Sequence, residues 1–164
     1  MKKYIVTALM ALTLLSLTGC GSKTLKSDGL GIEVTLPDRG WSVDTDDSNS
    51  FVISKDSDMI SYSSSDLPDG YEIPATEDDL SALLGDDIMA VSEISDFKYE
   101  TNEDGSIQSL FYKQTLNIAD SSSILINSFK IENGKLTTAN ATLTNADDNK
   151  ISEIENIIKN TDLK

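Results

Sequence analysis

Asp44, Asp46 and Asp47, with Ser48 and Asn49 beside them, pack oxygen-bearing side chains into one short stretch, the ligand type that a hard cation such as calcium takes. Asp56 and Asp58 follow in the next turn. An EF-hand loop beginning at Asp44 is excluded, because Asn49 stands where the turn needs glycine and Lys55 where it needs the closing glutamate. The chain has no histidine, which removes the usual general base near neutral pH, serine–histidine triads and most zinc sites. Serine–lysine catalysis has one spacing to consider, Ser95-Asp96-Phe97-Lys98. It falls in a predicted strand, where an offset of three sends the two side chains to opposite faces. With 28 acidic residues, carboxylate pairs for a small hydrolase can be drawn anywhere, and no spacing selects one.

The remaining reactive residue is Cys20, the only cysteine. Before it run a basic start, Met1-Lys2-Lys3, an apolar stretch over positions 4–17 and the small residues Thr18-Gly19. The stretch is shorter than the roughly 20 residues of a spanning helix, so we expect removal rather than anchoring. Leu17-Thr18-Gly19-Cys20 resembles the lipobox of a bacterial lipoprotein. The resemblance implies cleavage before Cys20, a diacylglyceryl group on its thiol and a position on the extracytoplasmic face of the cell membrane. We therefore expect a removed signal over 1–19, a flexible tether over 20–29 and one globular domain over 30–164. Lys23 and Lys26 are the only charged residues in the tether before Asp28 and are expected to lie on the lipid surface.

A net charge of −15 makes nucleic acid a poor partner. Alternating apolar and polar residues mark strands at 32–36 and 41–43, with an acidic loop at 44–50, then strands at 51–55 and 59–63. Thr76 caps a helix carrying Leu80, Leu83 and Leu84 on one face and ending at Gly85. Two hairpins follow, one turning at Glu103-Asp104-Gly105 and one at Asn133-Gly134, the strongest two-residue turn signal. A closing helix runs from about 146 to 160, capped by Asn145, with Ile151, Ile154, Ile157 and Ile158 as its apolar stripe. Trp41, Phe111, Tyr112 and Phe129 are expected in the core. The order of elements reads as an α+β fold, an antiparallel sheet of hairpin-linked strands packed with helices.

Ile32-Glu33-Val34-Thr35-Leu36-Pro37, followed by Trp41-Ser42-Val43, resembles the opening of PsbP-like proteins, and the order of elements downstream is similar to theirs. The resemblance implies an α-β-α sandwich. Members of that fold act as binding or assembly proteins with unrelated partners, so it implies no particular site. The expected function is a lipid-anchored, non-catalytic binding module, monomeric and without a cofactor, whose partner is another envelope protein. The alternatives are a small envelope hydrolase and a calcium- or small-ligand-binding lipoprotein.

Overall fold

The computed structural model describes residues 21–118 and 121–161. Leu17, Thr18, Gly19 and Cys20 lie outside the described residues.

A seven-stranded antiparallel sheet organises the chain, in the order β3-β4-β5-β9-β8-β7-β6. Its strands are β3 Ser42–Asp46, β4 Ser50–Lys55, β5 Asp58–Asp66, β6 Ser92–Thr101, β7 Ile107–Ile118, β8 Ser121–Glu132 and β9 Lys135–Thr144. Consecutive hairpins account for most neighbours, as the turn signals require. At the β8–β9 turn Asn133 and Gly134 both have positive φ, 54° and 75°, which matches a two-residue turn to the twist of the strands. The one long-range pairing is β5 with β9, in register from Met59↔Thr142 to Asp66↔Lys135.

One face of this sheet is covered by a helix, α3 (Asp148–Asn160), and by a two-stranded ribbon, β1 (Lys23–Ser27) with β2 (Ile32–Leu36). Ile32, Val34, Leu36 and Trp41 meet Phe51, Ile53, Ile60, Tyr62 and Ile126, and Ile154, Ile157 and Ile158 of α3 close the layer. Over β7 and β8 the opposite face is covered by α1 (Glu77–Leu84) and the segment before it. There Ile73 and Leu80 pack with Leu110 and Tyr112, and Tyr112 stacks on Phe129 at 6.1 Å. A short helix, α2 (Asp86–Met89), follows Gly85. This is the expected α+β sandwich, helices on both sides of an antiparallel sheet.

Four local expectations are corrected. Residues 23–27 are strand rather than flexible tether, paired with β2 from Lys23↔Leu36 to Ser27↔Ile32. Leu25 packs on the core, and the buried Ser27 Oγ accepts from Leu30 N (3.2 Å) and donates to Asp46 Oδ1 (2.6 Å), which holds the ribbon to β3. The acidic stretch at 44–50 is not one loop, because β3 runs to Asp46. The cap of α3 is Asp147, whose carboxylate accepts from Lys150 N at 2.8 Å. Asn145 instead takes a left-handed turn conformation, φ 52°, before the helix. Finally, a bulge in β6 between Ser95 and Lys98 pairs Ser95 with Lys113 and Lys98 with Phe111, bringing Ser95 and Lys98 to the same face despite their offset of three.

Candidate functional site

The α3 helix does not extend over β6, one of the two edge strands of the sheet. Register places Lys98, Phe111 and Ser128 in one row across β6, β7 and β8, and Glu100, Ser109 and Lys130 in the next. Both rows face the side on which α3 lies. Lys159 comes down from the last turn of the helix, and its Nζ stands 4.4 Å from the centre of the Phe111 ring. Together these side chains line an open groove of about 550 Å³. Ser109 Oγ donates to Glu100 Oε2 at 3.2 Å, so the one carboxylate among the two rows already has a donor.

A chain of ion pairs bounds the groove on its inner side. Lys113 Nζ lies 2.7 Å from Asp96 and 2.7 Å from Glu155, and Lys159 lies 2.9 Å from the other oxygen of Glu155. Asp96 is the bulge residue, at φ 53°, and this left-handed step aims its carboxylate at Lys113. The Lys113 hydrogen bond, with the lysine's charge behind it, holds the Asp96 carboxyl below the usual range. Burial works against the charge on Glu155, but hydrogen bonds from Lys113 and Lys159 outweigh it and its pKa also falls. Burial likewise opposes the charge on Lys113, and its two carboxylate partners overcome that and raise its pKa. Beyond these pairs a second cavity of about 340 Å³ continues along α3, lined by Ser95, Thr115 and Ser152.

Lys98, Lys113, Lys130 and Lys159 are four of only thirteen basic residues in a chain of net charge −15. Their convergence is what the linear sequence hides: they lie on β6, β7, β8 and α3 and meet only through strand register. An open, cation-lined groove with an aromatic floor and two hydroxyls suits an anionic segment, recognised by charge-assisted hydrogen bonds.

The residues singled out for a cation are arranged differently. Asp46 accepts from Ser27, and Asp47 Oδ1 accepts from the backbone of Asn49 (2.9 Å) and Ser50 (2.8 Å), closing the β3–β4 turn. Asp44 stands on β3 at its own bulge, between the paired Val43 and Thr45, and Asp58 pairs with Lys150 at 2.7 Å. Among the described residues no three acidic, histidine or cysteine side chains gather as a metal-holding group.

No protein-family model matches the chain, and no curated protein sequence does. Solved structures do resemble it. CyanoP, the cyanobacterial PsbP of Synechocystis sp. PCC 6803, aligns at a TM-score of 0.50 and 15% identity, over 91% of this chain and 99% of its own. The Ran-binding protein Mog1p of Saccharomyces cerevisiae aligns at 0.51 and 7% identity, over 88% of this chain and 96% of its own. A substituted form of Mog1 aligns at 0.51 and 8%, over 87% and 96%. The chain has the PsbP/Mog1-like fold.

Proposed function

We propose that this chain is a lipid-anchored, extracytoplasmic binding module of a bacterial cell envelope, and that it docks an acidic segment of another envelope protein in the lysine groove. The observation that carries the docking is the convergence of Lys98, Lys130 and Lys159 around Phe111 in an otherwise acidic chain. Anchoring is drawn from Leu17-Thr18-Gly19-Cys20 and the apolar stretch before it. Among the described residues no helix is long and apolar enough to cross a membrane. The fold is compatible with a binding role, since one structure that shares it is a Ran-binding protein.

An elongated partner suits this groove better than a compact anion. Lys98 on the edge strand β6 and Lys130 on β8 stand two strands and one row apart, about 12 Å on the diagonal, so only an elongated partner reaches both. An extended acidic peptide lying obliquely across β6, β7 and β8 can therefore place carboxylates about four residues apart on Lys98 and Lys130. Nuclear magnetic resonance titration with an oligo-glutamate peptide tests the docking. We expect saturable shifts centred on the amides of Lys98, Phe111, Ser128 and Lys130, weakening as salt rises. Shifts centred on other elements, or equal shifts with oligo-lysine, would remove it. Mass spectrometry of native material tests the anchor: the expected mature chain begins at a diacylated Cys20, and a free thiol there contradicts it.

A further inference from the structure

We infer that the body sits directly on the bilayer, with the cleft between β2 and α3 turned to the lipid headgroups, instead of swinging on a tether. The inference rests on the acylation of Cys20 proposed above. Only Gly21 and Ser22 separate that residue from β1, whose first residue, Lys23, is already paired with Leu36. Three residue steps span at most about 11 Å, so the lipidated sulfur cannot lie far from the point where β1 enters the fold.

That point is well held. Gly21 sits against Pro37, where an added Cβ would stand 3.6 Å from the carbonyl oxygen. Lys23 Nζ donates to Trp41 O at 2.7 Å, and Lys26 pairs with Glu33 at 2.5 Å. The two lysines expected on the lipid surface thus each have a partner within the body. Ser22 borders a shallow cleft of about 280 Å³, with Thr35, Pro37, Asn156 and Asn160 along it. In a chain with 28 acids this lining carries one, Glu153, and Lys150 lies 3.5 Å from it. A nearly neutral surface, with Leu36, Pro37 and Ile157 set among its amides and hydroxyls, offers headgroups little to repel. Contact is therefore set by the short connection, and it does not require anionic lipid.

The far side of the body is distant. Register puts Ser42, next to Trp41, in one row with Gln114 of β7, and β3 and β6 are opposite edges of the sheet. The β6–β7 turn at Asp104 is thus about 29 Å away across the strands and about 24 Å along them.

The test uses the acylated full chain, purified from membranes, verified by mass and placed in vesicles that carry a lipid-borne quencher. Single labels are attached through Asn156→Cys or Asp104→Cys, both exposed positions. The Asn156 label should be quenched several-fold more than the Asp104 label, equally in zwitterionic and in partly anionic vesicles. Inserting a flexible Gly/Ser stretch of about ten residues between Ser22 and Lys23 should bring it down to the Asp104 level. Equal quenching of the two labels in acylated protein overturns the seat and leaves the anchor standing. An unacylated Cys20 in the purified chain overturns both.

Discussion

Lys159 Nζ touches two unlike partners, the Phe111 ring at 4.4 Å and Glu155 Oε2 at 2.9 Å, and so ties the last turn of α3 to the floor of the groove. A cation over an aromatic face at a partly exposed site contributes about 0.5–1 kcal/mol. Lys159 borders the groove while also anchoring the helix, and Lys130 pairs with Glu132 at 2.8 Å, so Lys98 is the cleanest probe of binding.

Reversing the charge of Lys98 and Lys130 should separate binding from folding. The pair Lys98→Glu with Lys130→Glu should abolish oligo-glutamate binding, while Lys98→Glu alters stability by no more than about 0.5 kcal/mol and Lys130→Glu, which sets a carboxylate against Glu132, by about 1 kcal/mol. Titration calorimetry and thermal melting check the two halves. Undiminished affinity in the double variant would exclude the groove.

Acid should loosen the groove's inner wall. Asp96 and Glu155 both have lowered pKa values in the fold, so their contribution is complete above the ordinary carboxylate range, about 3.9–4.3, and is lost as pH falls through the folded values. The melting temperature should therefore drop below about pH 4. In Lys113→Met the drop should be shallower, because Asp96 returns toward its ordinary value and Glu155 keeps only Lys159.

Alkali acts at the other side of α3. Thr161 Oγ1 donates to Ile157 O at 2.8 Å, so at 3.2 Å it is left to accept from the buried Tyr62 hydroxyl. Burial raises the Tyr62 pKa to about 12, against a smaller opposing effect of the Thr161 hydrogen bond. A phenol that ionises at about 10 when unfolded then makes stability fall as pH rises between the two values. Tyr62→Phe should lose about 1 kcal/mol at neutral pH and flatten the decline above pH 10, read by melting at both pH values.

The N-terminal ribbon should behave as part of the body. A Cβ on Gly29 would fall 2.3 Å from Asp47 O, a backbone atom that cannot step aside cheaply. Gly29→Ala should cost about 1–3 kcal/mol of overpacking and expose the β1–β2 amides to hydrogen exchange. A melting temperature equal to the parent's would mean that the ribbon is not integral.

The hairpins, α1 and the stripe of α3 were legible because their signals are local: Asn133-Gly134, the Thr76 cap, isoleucines at helical spacing. The β1 strand was not, since Lys23-Thr24-Leu25-Lys26-Ser27 offers one apolar residue and owes its form to pairing with β2. Its only clue was the Ser27-Asp28-Gly29-Leu30-Gly31 turn, with Gly31 at φ 68°. The bulge at Asp96 also left no mark, and without it Lys98 could not be aligned with Phe111. The groove was invisible for the same reason, as its lysines are about thirty residues apart and only register brings them together.

The most direct test of the docking claim is photo-crosslinking in intact cells, with a benzoylphenylalanine placed at Ser109 in the groove or at Ser61 on β5. We expect Ser109 to capture an envelope protein through an acidic segment, Ser61 to capture none, and the adduct to vanish with Lys98→Glu and Lys130→Glu. Adducts formed equally from Ser61, or from Ser109 regardless of those lysines, would contradict it.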